Sequence, residues 1–232
     1  MQLGLHNPSP LTIIPARSRQ VRLEGPMFPR LMLVSLLVAA PAVTLAAAPS
    51  AQEHTDGLLN TFKKLKADKG NLTAADKATN EKNLSELDRQ FDFHEICSKI
   101  ISSRADKFSA TEKATFEKKF HELVRAGAFI DSGDFFRKAK IEFKPTKTIG
   151  ETQGVPVHVT IAADDVDETV EIRWRQTDGV WHVEDVLLDG DSLVKDYQNQ
   201  VARIVDKRGV AGVIKTLDDK LAAVKKKRAE QR

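Results

Sequence analysis

Apolar residues recur along this chain with two periods, and the change from one to the other divides it. Leu58, Leu59, Phe62 and Leu65 fall at helical spacing, which predicts a short amphipathic helix ending near Gly70. Thr73-Ala74-Ala75-Asp76 has the form of a capping box and opens a second helix through Leu84 and Leu87. A third helix is expected from Phe91 to about Ser103. Ser109-Ala110-Thr111-Glu112 is another capping box, followed by Phe116, Phe120, Leu123 and Val124 on one stripe. Gly127 and Gly133 read as the frayed end of that helix.

After Lys138 the period becomes 2. Ile141 and Phe143 alternate with charged neighbours, as do Val155, Val157, Val159 and Ile161, then Val170, Ile172 and Trp174, then Trp181 and Val183. The intervening positions hold His158, Thr160, Glu171, Arg173, Arg175, His182 and Glu184. That alternation predicts an antiparallel sheet with one face buried and one face wet. Short connections are expected at Gly150–Gly154, Ala163–Asp167 and Thr177–Gly179. Two helices close the chain, the first with Leu193, Tyr197, Val201 and Ile204 on one stripe. Gly209 separates it from the second, which carries Val210, Val213, Ile214, Leu217, Leu221 and Val224. The pattern predicts a single α+β domain, a curved antiparallel sheet of about four strands with helices packed on one face. Periodicity alone does not separate a filled core from a lined pocket between those layers.

The N-terminal region changes the charge picture. Met27-Phe28-Pro29-Arg30 precedes an apolar run from Leu31 to Leu45 and the small residues Ala46-Ala47-Ala48, the form of a secretory signal peptide over residues 27–46. The run is short for a membrane span, and Pro41 interrupts it. Residues 1–26 fit no targeting pattern and read as a misplaced start, which leaves 47–232 as the folded domain. Residues 1–46 carry four arginines and one acid, so the chain's 36 basic and 33 acidic residues fall to 32 of each without them. A neutral domain gives no electrostatic reason to expect nucleic acid. The lone Cys97 excludes an internal disulfide, so the fold must rest on packing.

Several short constellations invite a chemical reading, and each has a simpler one. Gly190-Asp191-Ser192-Leu193 matches the signature block of the GDSL esterases and lipases, where a later histidine acts as base. Here no histidine follows Ser192, and Asp191 or Ser192 is well placed to cap the helix that begins there. Cys97 and His94 share a helical face, but Cys97 falls among Phe93, Ile96 and Ile100, where thiols act as small hydrophobes. Asp164-Asp165-Val166-Asp167-Glu168 lacks the spacing of a calcium loop. His158 and His182 have no third ligand to complete a zinc site. Lys225-Lys226-Lys227-Arg228 reads as a solvated helix end whose cations complement the macrodipole, with anionic lipid headgroups the sharper alternative.

One stretch carries more specific information. Trp181-His182-Val183-Glu184-Asp185-Val186, then Gly190, Ser192-Leu193-Val194, Tyr197 and Gln200, resembles the C-terminal signature of the MlaC family. These are the periplasmic phospholipid-binding proteins also called toluene-tolerance proteins. Phe91-Asp92-Phe93 and the Ser109–Phe120 segment are similar to the family in the expected order, and Gly209 to Leu217 fits its closing pattern loosely. The sequence departs from the family at Asp196-Tyr197-Gln198, where Asn-Tyr-Arg is usual, and at Ile101-Ser102-Ser103-Arg104.

The resemblance implies a phospholipid as cargo, no cofactor and no catalysis. It implies a pocket between sheet and helices, and shuttling between the outer membrane and an inner-membrane ABC transporter with an MCE-domain component. An outer-membrane lipoprotein/porin complex is the implied partner at the other side. The residues expected to line the pocket are Val157, Val159, Ile172, Trp174, Val183, Tyr197 and Val201. The competing expectations are an envelope scaffold whose core is filled by its own side chains, and an esterase built on Ser192.

Overall fold

The computed structural model describes residues 49–67 and 70–230. The expected signal peptide and the segment before it lie outside these residues. Among the described residues, six α-helices and six strands run in the order α1 (Ala51–Lys64), α2 (Ala74–Gln90), α3 (Phe93–Ile101), α4 (Ala110–Val124), α5 (Ile130–Lys138), β1 (Lys140–Phe143), β2 (Lys147–Ile149), β3 (Thr152–Ile161), β4 (Val166–Thr177), β5 (Val180–Leu188), β6 (Asp191–Ser192) and α6 (Leu193–Glu230). The fold is α+β: an antiparallel sheet in the order β1-β3-β4-β5-β6, with β2 also on β3. The four longer strands match the period-2 segments of the sequence. β2 and β6 are additions of three and two residues.

Local chemistry accounts for the element ends. Both expected capping boxes form, Thr73 with Asp76 and Ser109 with Glu112, and Ser50 with Glu53 makes a third at α1. Asp178-Gly179 joins β4 to β5 with both residues at positive φ, the two-residue turn that matches strand twist. Asp189-Gly190 repeats the device between β5 and β6. Pro156, which cannot donate to a ladder, falls where β3 passes from β2 to β1 as its neighbour.

Two glycines behave otherwise than their sequence suggests. The helix after Ser109 does not fray at Gly127 and Gly133. It passes through a wide π-type turn, Arg125–Phe129, straight into α5. Gly133 is instead a point of close approach, where a Cβ would stand 2.9 Å from the carbonyl oxygens of Phe62 and Leu65. Gly209 does break the last helix, at φ 65° and ψ −177°, between the two stripes expected there.

The apolar residues gather into two cores. One joins the inward face of the sheet to α1, α2 and α5 through Leu58, Phe62, Leu87, Phe136, Val157 and Trp174. The other joins α3, α4 and both halves of α6 through Ile100, Phe116, Phe120, Val201, Val213 and Leu217. Phe91, Phe93 and Val124 pack against both.

The outward sheet face is polar but not uniformly wet. Glu184 accepts from Lys99 Nζ at 2.7 Å, from Arg175 Nε at 2.8 Å and from Thr152 Oγ1. Burial alone would push its carboxyl pKa up, but these hydrogen bonds hold it below the usual range. Glu171 is covered in the same way by Arg173 and Lys147.

Candidate functional site

A cavity of about 350 Å³ lies along the seam between the two cores. Its floor is the sheet, with Val170 and Ile172 from β4 and Val183, Val186 and Leu188 from β5. Val183 and Val186 are three apart and could not share a face in a regular strand. The pairing shifts between Arg173 and Trp174, so Val183 lies opposite Trp174 and Val186 opposite Ile172, with Glu184 as the extra residue. The bulge thus turns both valines inward.

The walls are mainly phenylalanine. Phe91 and Phe93 flank Asp92, whose backbone N–H donates to Val183 O at 3.2 Å and whose side chain caps α3 by accepting from Glu95 N at 2.9 Å. Those two bonds fix both rings at the edge of β5. Phe129 meets Phe91 at 5.1 Å and Phe62 at 5.5 Å, and Phe62 stacks on Phe136 at 5.8 Å. The π-type turn contributes directly here. One extra residue rotates the downstream helix by about 100° relative to a continuous α-helix, and Ala128, Phe129 and Phe136 line the cavity together with Phe120 and Val124 before the turn. Leu193, Val194 and Tyr197 from the start of α6 complete the wall. The Tyr197 ring meets Phe120 edge-on at 5.2 Å, and burial with Asp196 nearby pushes its hydroxyl pKa to about 12.

Of the residues expected to line a pocket, Ile172, Val183 and Tyr197 lie on this cavity. Val157, Val159 and Trp174 are wholly buried in the packed core beside α1, where Trp174 Nε1 donates to Thr55 Oγ1 at 2.7 Å. Val201 faces a separate hollow of about 50 Å³ between α4 and α6. The sheet residues lie on the inward face as their period requires, but that face is longer than the cavity. The aromatic wall from Phe62, Phe91, Phe93, Phe129 and Phe136 was not among the expected lining. Helical period marks each as buried, and nothing local says which layer it meets.

The polar constellations have structural roles. Ser192 Oγ donates to Asp185 Oδ2 at 2.6 Å and accepts from Lys195 N at 3.0 Å, which caps α6, and no histidine among the described residues is bonded to it. His94 Nδ1 lies 3.0 Å from Glu117 Oε2 at the surface, and that contact raises its pKa. Cys97 is buried, and desolvation moves its thiol pKa far above the ordinary value. Asp164 pairs with Lys138 at 3.1 Å and Asp167 with His158 at 3.5 Å. Among the described residues there is no group of three or more His, Cys, Asp or Glu arranged to hold a metal. None of their helices is long and apolar enough to cross a membrane.

Fold and site together define an α+β domain built around a mostly apolar cavity between two cores. The chain belongs to the MlaC protein family, whose model matches residues 57–219. A solved structure similar to it is the phospholipid-binding protein from Ralstonia solanacearum, determined in complex with a phospholipid. The two share 19% identity at a TM-score of 0.57, over 75% of this chain and 95% of that one.

Proposed function

We propose that this chain is a periplasmic phospholipid carrier that buries acyl tails in the seam cavity and leaves the headgroup at its mouth. The observation that carries the reading is the cavity itself, lined mostly by apolar side chains, with Asp131, Asp185 and the exposed Lys227 as its charged members. Family membership and the phospholipid held by the Ralstonia solanacearum protein support it. The expected signal peptide over 27–46 supports the compartment. The carrier would exchange its cargo with an inner-membrane MCE/ABC transporter and an outer-membrane lipoprotein/porin complex.

The energetics explain why a carrier is needed. Each methylene moved from water to an apolar site gains about 0.8 kcal/mol. Two long tails therefore cost on the order of 20 kcal/mol to expose. A mostly apolar, phenylalanine-rich cavity offsets that cost, and it need match the bilayer only approximately for the lipid to leave again.

Native mass spectrometry of the chain expressed into a periplasm tests this. A discrete added mass, released as phospholipid on denaturation, is expected. A clean apo mass with no uptake from offered vesicles would instead make this a scaffold whose cavity stays empty.

A further inference from the structure

We propose that Lys227 is the headgroup contact of the cavity, and that it selects glycerophospholipids whose phosphodiester carries no countercharge of its own. The inference rests on the carrier reading and adds to it a preference among lipids.

Three charged residues line the cavity: Asp131, Asp185 and Lys227. The two acids are already engaged. Asp185 accepts from Ser192 Oγ at 2.6 Å, Val186 N at 2.9 Å and Val194 N at 3.1 Å. Asp131 is paired with Arg228. Lys227 is exposed, and no carboxylate among the described residues comes within ion-pair distance of it. Its neighbour Lys226 is turned to Glu230 at 3.8 Å. Asp185 keeps its charge, but its oxygens are occupied by three neutral donors, so Lys227 is the one charged group of the lining with hydrogen-bonding capacity left for a ligand.

The helix segment that carries Lys227 is anchored on both sides of it. Arg228, the next residue, is anchored on Asp131 at the start of α5. One turn earlier, Val224 lies over Gly127 of the π-type turn, 3.7 Å from where a Cβ would be. The run Lys225–Arg228 is thus not a uniformly solvated end, because one cation serves as anchor and the one before it faces the cavity. The ligand complementary to an apolar cavity with one exposed, unpaired cation in its lining is an amphiphile with an anionic head. A headgroup ammonium would compete with Lys227 for the same phosphodiester, whereas a glycerol headgroup would not. The predicted cargo class is the anionic glycerophospholipid.

The test offers delipidated full chain to vesicles of phosphatidylglycerol, phosphatidylethanolamine, oleate and diacylglycerol in equal amounts, then repurifies the protein and quantifies extracted lipid. The wild type should enrich phosphatidylglycerol over phosphatidylethanolamine by about two- to fivefold, the range set by a solvent-screened ion pair. Lys227→Gln should return that ratio to the vesicle value, Lys227→Glu should push it below, and Lys227→Arg should keep it. Lys225→Gln, a neighbouring cation off the cavity, should behave as wild type. Enrichment should fade as salt rises. An unchanged ratio in Lys227→Gln overturns the proposal while leaving the carrier reading intact. Oleate enriched above phosphatidylglycerol overturns the phosphodiester assignment in favour of a lipid carboxylate. A wild type that takes up no lipid overturns the carrier reading and this inference with it.

Discussion

Ile172 and Val159 are inward-facing aliphatic residues of adjacent strands, and both are nearly inaccessible, yet they have different surroundings. Ile172 borders the cavity and Val159 is enclosed by packed side chains. A carboxylate at 172 can point into the cavity, so Ile172→Asp should fold and lose its lipid. A carboxylate at 159 has no such space, so Val159→Asp should lose about 4 kcal/mol or more of stability. Circular dichroism with denaturant titration, alongside lipid extraction, separates the two outcomes. A folded Ile172→Asp that retains lipid would count against the proposed floor. Glu168 gives a second prediction at this scale. It is 6% exposed on the inward side of β4, one carboxylate oxygen has no partner, and burial with Asp189 nearby raises its pKa. A carboxyl whose folded pKa lies above its unfolded value costs stability above the unfolded value, near pH 4, and costs nothing well below it. Glu168→Gln should therefore unfold at higher denaturant than wild type at pH 7, with the gap closing by about pH 3. Equal midpoints at pH 7 would show that the carboxylate is solvated after all.

At the scale of elements, Gly209 is the residue on which the last helix turns. Its φ of 65° with extended ψ is a region that only glycine visits readily. Gly209→Ala should cost about 1–3 kcal/mol, because Val210, Val213, Leu217 and Leu221 beyond the break are buried only in this orientation. Denaturant unfolding reads the loss directly, and a variant as stable as wild type would mean the two halves pack independently of the break. The Gly209 break was legible in the sequence, as were two capping boxes, the four longer strands and the change of period at Lys138. The features that were not legible have physical reasons. β2 and β6 are too short to show a period, and the bulge at Glu184 reverses the alternation of β5 after Val183. Gly127 and Gly133 look like a helix end because the carbonyls that demand a missing Cβ at Gly133 belong to Phe62 and Leu65, far back along the chain at the end of α1. The candidate site was legible in part for the same reason. Period assigned Ile172, Val183 and Tyr197 to inward faces, but only tertiary packing decides that Phe91 and Phe129 meet over them while Trp174 is sealed against Thr55.

At the scale of the molecule, the cavity lies where two separately packed cores meet, and Phe91, Phe93 and Val124 are the residues common to both. The seam cavity, about 350 Å³, is far larger than the hollow of about 50 Å³ inside the second core. Empty apolar space is costly, since atoms lining it lack contacts on one side. A chain selected only for stability would be expected to narrow the seam with larger side chains. Val186 tests the point, being a part-buried strand residue on the cavity floor. Val186→Phe suits a strand and adds bulk toward the channel. It should raise the stability of the delipidated protein by about 0.5–2 kcal/mol, as cavity filling commonly does. The same ring would occupy space that an acyl tail needs, so the lipid recovered per protein should fall. Stability rising while loading falls is the signature of a cavity kept open for a ligand. Lipid recovery equal to wild type in a stabilised Val186→Phe would place the tails elsewhere and leave the seam as a packing defect alone.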